Sequence, residues 1–206
     1  MNYKDIISNV NVYGIQESIV ASGYPMLTEP YNHSEFINAC KDVVVNGEDS
    51  PHIKRSRKLA NTNVGEGHDN YLNGIIVQFD LKFTVKAWTE AERYHFFDFV
   101  SSMSSMHRLP KMDLDTVFCS YVTENTKAEM KRLLALYNEN PCEETRLKLL
   151  YNCPVGLQLT ARMTTNYRQL KTIYKQRRNH LLPEWKAFCE WVKTLPYSEF
   201  ITGESK

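Results

Sequence analysis

Between positions 76 and 85 the side chains alternate without a break. Val77, Phe79, Leu81, Phe83 and Val85 are apolar, while Gln78, Asp80, Lys82 and Thr84 are polar. Period-two patterning of this length dictates a strand with one buried face and one face that meets water or a polar site. Elsewhere the apolar positions recur at helical spacing. Residues 34–45 start at a serine cap, Ser34, 88–100 carry Trp88, Ala91, Tyr94 or His95 and Phe99, and 126–137 open on the capping-box pattern Thr126-Lys-Ala-Glu129. Residues 143–151, 165–178 and 183–195 complete the helices, the last with proline in its first turn. Segments 16–21 and 156–160 read as short strands, and 46–63 as a turn followed by a basic stretch. The pattern predicts one α+β domain over residues 1–206, its antiparallel or mixed sheet covered by helices on at least one face.

Composition narrows the class of protein. A chain of 206 residues with 42% apolar and 24% charged side chains buries enough surface to fold without disulfides or metal. Twenty-five basic against twenty-four acidic residues leave a net charge of only +1, too little to attract polymeric nucleic acid or an anionic membrane. No apolar run is long enough to span a bilayer. The five cysteines (Cys40, Cys119, Cys142, Cys153, Cys189) form no Cys-x-x-Cys pair and have no histidine at ligand spacing, so no metal site is expected. Reduced, buried thiols and a start without an apolar leader place the expected protein in the cytoplasm.

The charge is unevenly placed. Positions 161–183 hold Arg162, Arg168, Lys171, Lys175, Arg177 and Arg178 and no acidic residue. Asn166 and Arg177 are eleven positions apart, within about 20° of full helical register. With Leu170 and Ile173 they form one inward face, from which Lys171, Lys175 and Arg178 point away. An inward arginine without an acidic neighbour in sequence requires either a distant carboxylate or a bound anion. A second group, Arg93-Tyr94-His95 followed by the hydroxyls and cations of 101–108, suits phosphate. A third, Gly67-His68-Asp69, forms a turn ahead of the strand.

The order and spacing of these groups, over residues 68–185, resemble the flavin-dependent thymidylate synthases. His68 precedes the strand, Arg93-Tyr94-His95 stands where that family has Arg-His-Arg, and Ser105-Met-His-Arg108 is similar to the motif's closing Ser-x-Arg. Pro154, Thr165-Asn166-Tyr-Arg168-Gln-Leu170 and Gln176-Arg177 are similar to the downstream motifs, as are His180 and Glu184-Trp185. The departures are Tyr94 for histidine, His95 for arginine, Glu90 for glutamine, and Leu149-Leu150 for an alanine-arginine pair, with Arg146 and Lys148 nearby. The resemblance covers a synthase-like core at 64–195 and leaves 1–63 unmatched.

That resemblance implies a homotetramer with FAD in grooves between subunits. It further implies a methyltransferase of nucleotide biosynthesis that adds a carbon to C5 of a pyrimidine deoxynucleotide monophosphate. NADPH would be the reductant and methylenetetrahydrofolate the carbon donor. His68, Arg93, His95 and Asn166 would face the flavin. Glu90, Ser105, Arg108 and Arg168 would face the nucleotide, and Arg177 would lie where both meet, with Arg177 and Arg108 polarising the base. His95 for arginine exchanges a permanent cation for a group mostly neutral at pH 7. Ionised Glu90, an acceptor only, suits a base edge carrying an amino group, as in deoxycytidylate. The unmatched part could supply a compensating cation such as Arg55 or Arg57. Two other readings follow from the same residues: a non-catalytic nucleotide-binding protein of this fold, and an interaction protein whose basic helix meets a partner.

Overall fold

The computed structural model describes residues 1–62 and 66–203. The boundary between the unmatched part and the synthase-like core, at 63/64, lies outside the described residues. In chain order the elements are β1 (Ile7–Tyr13), α1 (Ile15–Ala21), α2 (His33–Asn46), α3 (Pro51–Ala60), β2 (Ile76–Thr84), α4 (Val85–Ala91) and β3 (Phe97–Ser102). There follow α5 (Ser105–Arg108), α6 (Glu124–Glu139), α7 (Glu143–Tyr151), β4 (Gln158–Asn166), α8 (Tyr167–Arg177), α9 (Pro183–Val192) and α10 (Glu199–Thr202). The four strands form one sheet in the order β1-β2-β4-β3, antiparallel throughout. No helix among the described residues is long and apolar enough to cross a membrane.

The alternating strand is β2, and its pattern sets the layers. Val77, Phe79, Leu81 and Phe83 are wholly buried, while Gln78, Asp80 and Lys82 remain partly exposed on the other face. Aromatic residues of α9 cover the buried face: Trp191 lies 4.5 Å and Phe188 6.0 Å from the Phe79 ring, and Trp185 lies 5.0 Å from Phe83. A second apolar cluster (Leu109, Leu114, Phe118, Met130, Leu133, Leu149, Leu157) sits around α6 and α7, and Leu159 touches both clusters. β2 ends one residue earlier than its periodicity predicts, because the Thr84 side chain accepts the Ala87 N–H and starts α4.

Several expectations need correction. Segment 16–21 is helix α1, launched by Gly14 at φ 72°; a short apolar run does not by itself distinguish strand from helix. The true first strand, β1, is masked in the sequence by a bulge at Asn9, whose φ of 51° interrupts the alternation. The expected helix at 88–100 stops at Ala91, and Phe97–Ser102 instead pairs with β4. Helix α6 begins at Glu124 behind a Thr123 cap rather than at Thr126, and the basic part of 46–63 is helix α3. The strand expected at 156–160 runs from Gln158 to Asn166, so α8 starts at Tyr167.

On the open face, Asp80 accepts hydrogen bonds from Arg162 (3.3 Å) and from Asn9. Arg162 in turn donates to the Asn9 carbonyl at 2.6 Å, so the strained bulge is pinned from two strands. One-faced burial has a measurable consequence. Phe79→Ala should lower unfolding free energy in urea by about 3–5 kcal/mol, whereas Asp80→Ala should cost about 1 kcal/mol or less. The reverse order would contradict the layer assignment.

Candidate functional site

Arg177, at the end of α8, is 7% exposed and its charge is met inside the chain. Its Nη1 donates to Glu90 Oε2 at 3.0 Å and its Nε to Tyr94 Oη at 2.6 Å. The guanidinium lies 4.9 Å from the Trp185 ring and 5.5 Å from the Tyr94 ring, distances at which cation and ring attract. Glu90 also accepts Lys86 Nζ at 2.9 Å and Trp185 Nε1 at 3.2 Å, and His180 Nε2 stands 3.3 Å away. Burial alone would raise the Glu90 carboxyl; the Lys86 hydrogen bond and the charges of His180, Lys86 and Arg177 outweigh it and hold the pKa below the ordinary carboxylate value. Of the two partners open to Arg177, the distant carboxylate is the one present. Tyr94 takes the centre of the triplet because it packs against Phe97 and Trp185, and its hydroxyl donates to Gln176 at 3.1 Å.

The cations of α8 that the helical wheel directs away from this inward face line a pocket of their own. Arg168, Lys171 and Lys175 fall at i, i+3 and i+7, one stripe of the helix, and with Asp69, Phe96 and Gln176 they border a cavity of 550 Å³. Asp69, only 5% exposed, binds Arg168 Nε at 3.2 Å and Lys171 Nζ at 2.8 Å. One carboxylate against three cations leaves the pocket with a net charge of +2. Phe96 presents an aromatic face at its edge, 59% exposed. The arrangement can hold an anion beside a flat ring. Arg168 is the one predicted site residue that lines it; Lys171, Lys175 and Phe96 were missed, although the three-and-four spacing of the cations is legible.

The remaining predicted residues divide by place. His68, Arg93 and His95 are exposed, and His68 and His95 immediately precede the pocket residues Asp69 and Phe96. Asn166 is buried, and its side chain accepts the Gln169 N–H at 2.8 Å as the N-cap of α8. Ser105 and exposed Arg108 belong to α5, beyond the opposite end of β3. The six residues of β3 separate them from Phe96 by about 20 Å of strand. Within one chain Arg177 therefore meets Tyr94 at the start of the 93–108 segment, while Ser105 and Arg108 stand at its far end. Arg55 donates to the Ile19 and Val20 carbonyls near the end of α1, and Arg57 pairs with Glu48 and Glu199, so neither is a spare cation. Arg146 donates to the Met106 carbonyl at 2.9 Å. Burial pushes the Cys153 and Cys189 thiols up, to about 11 and about 12.

The buried pair makes a test of its own. Arg177→Met leaves Glu90 buried without its arginine and should cost about 3–5 kcal/mol in urea unfolding at neutral pH. Adding Glu90→Leu should recover at least half of that loss. A depressed carboxyl pKa contributes stability that is present above the unfolded value and lost as pH falls through the folded one. Glu90→Gln should therefore flatten the acid limb of the stability profile below about pH 4.5, close to the carboxylate reference value; an unchanged limb would remove Glu90 from that role.

No protein-family model and no curated protein sequence matches the chain. Solved structures do. The flavin-dependent thymidylate synthase ThyX from Helicobacter pylori, complexed with FAD and dUMP, superposes with a TM-score of 0.63 at 16% identity, covering 96% of this chain and 98% of that one. A second structure of Helicobacter pylori ThyX with FAD and dUMP gives 0.63 at 17% identity over 97% and 96%. The chain has the fold of these ThyX structures nearly from end to end.

Proposed function

We propose that this chain is a divergent flavin-dependent thymidylate synthase-like enzyme acting on a pyrimidine deoxynucleotide monophosphate by one-carbon transfer to C5. The observation that carries the reading is the pocket of Arg168, Lys171 and Lys175 with the exposed ring of Phe96 beside it. Its chemistry fits FAD, which offers phosphate to the cations and a flat ring system to Phe96. Support also comes from the full-length likeness to ThyX structures that contain FAD and dUMP.

In this reading Arg168, Lys171 and Lys175 hold the cofactor's anionic part, with His68, Arg93 and His95 at the rim. FAD, when bound, supplies redox chemistry with electrons from NADPH, and methylenetetrahydrofolate supplies the carbon. Ser105 and Arg108 hold the nucleotide phosphate. Because they lie at the far end of β3, they act in the site of a neighbouring subunit, as the grooves between chains of a homotetramer allow. Arg177 and Glu90 act as a pair: Arg177 fixes Tyr94, and Tyr94 through Gln176 fixes one wall of the pocket.

The closed Glu90–Arg177 pair also favours a second reading, a nucleotide-binding protein of this fold without turnover, since Arg177 is not free to polarise a base. The two readings separate by experiment. Protein purified without added cofactor should be yellow, with absorbance near about 450 nm from the flavin itself, and should release FAD to mass spectrometry. Arg168→Ala and Lys175→Ala should each weaken FAD binding about tenfold or more, the loss expected for one charged hydrogen bond. Colourless protein that takes up no added FAD overturns the flavoenzyme. Thermal stabilisation by deoxyuridine monophosphate without product would leave the binding protein.

A further inference from the structure

A second cavity, of 530 Å³, opens at the other end of β2 and shares no residue with the cationic pocket. Four segments enclose it: the junction of β2 and α4, the chain leading into α6, the turn before β4 and the turn into α9. Its walls are largely apolar, with Val122, Pro154 and Leu182 among them. Leu181 and Tyr121 stand at its rim, 87% and 78% exposed. The wall is preformed at Gly156, where a Cβ would come within 2.4 Å of Val122 Cγ2, and the Gly156 carbonyl accepts the Cys119 N–H at 2.9 Å.

One charged group is buried in this apolar lining. Glu184 is 4% exposed, borders the cavity and forms no ion pair among the described residues. Its Oε1 accepts the Thr84 hydroxyl at 2.7 Å. The Thr84 oxygen is itself the acceptor for the Ala87 N–H, which directs its proton onto Glu184 and fixes the carboxylate. Lys86 also borders the cavity, but its Nζ is taken by Glu90. The first turn of α9 offsets part of the charge. A carboxylate has room for about four hydrogen bonds, and burial of a charge calls for a counter-charge or a matched donor.

We propose that this cavity is a ligand site for a planar aromatic cation bearing N–H donors, an amidine or a protonated amino-heterocycle. The carboxylate of Glu184 would take the N–H edge, and the apolar walls and Tyr121 would take the ring. The inference stands apart from the flavin reading, since it uses neither the cationic pocket nor the 93–108 segment.

Benzamidine is the probe, with benzamide as its neutral counterpart, titrated calorimetrically into the whole protein. Saturable binding of benzamidine is expected, at least tenfold tighter than benzamide. Glu184→Gln should abolish that preference, and Tyr121→Ser should weaken benzamidine about tenfold. No saturable binding, equal affinity for the two probes, or unchanged binding in Tyr121→Ser overturns the proposal. Should Glu184→Gln fail to fold, Leu181→Ser replaces it, and an affinity unchanged in Leu181→Ser likewise overturns the proposal. Weaker benzamidine binding as protein concentration rises would assign the cavity to a second copy of the chain instead.

Discussion

The pairing of β2 with β4 governs the rest of the molecule. Nine residues of each strand are matched, from Ile76 against Asn166 to Thr84 against Gln158. A helix leaves each strand directly from its last residue, capped by that residue's side chain: Thr84 starts α4 and Asn166 starts α8. Thr84 and Asn166 lie at opposite ends of the pair, yet the far ends of their helices meet where Arg177 binds Glu90. The ion pair thus joins two helices whose starting points the sheet has already fixed. A register slip of one residue would turn Phe79 and Phe83 toward water and dismantle both the core and this junction.

Burying Arg177 and Glu90 divides the work of α8. Taking two charges from water is costly, and only good geometry with further hydrogen bonds offsets it. Tyr94, Trp185, His180 and Lys86 supply those contacts. The inward face of the helix (Asn166, Leu170, Ile173, Arg177) is therefore structural and electrically quiet. The positive potential comes from the neighbouring stripe of Arg168, Lys171 and Lys175, which a single carboxylate, Asp69, balances in part. The cationic pocket and the scaffolding ion pair fall to different faces of one helix.

Much of this was legible from local patterns. The alternation of β2 is strict because one face is wholly buried, and the helix at 143–151 and the one starting at Pro183, which ends at Val192 rather than at 195, follow from spacing and proline. What failed was decided by tertiary context. β1 and β3 are the two edge strands, with few buried residues, and a bulge interrupts the alternation of each. Arg177 could be seen to need a partner, but Glu90 lies 87 positions away, and no local rule reaches that far. The cationic pocket was half visible: the clustering of charge was plain, and so was the turning of Lys171 and Lys175 away from the inward face, but not Phe96, which the sheet edge brings beside them.

The edge strand β3 is where fold and proposed assembly meet. Phe99 and Val100 on the strand, and Phe96, Met103 and Met106 in the flanking residues, are all at least 43% exposed, and β3 has β4 as its partner on one side alone. An apolar sheet edge of this kind invites pairing with another chain. A two-fold contact between antiparallel copies of β3 would set the start of one strand against the end of the other. Residues 93–96 of one chain would then face residues 105–108 of its neighbour, the two groups that about 20 Å of strand keeps apart within a chain. In the proposed assembly, the separation of residues 93–96 from 105–108 and the exposure of the strand between them would answer to the same arrangement, with the site completed between subunits.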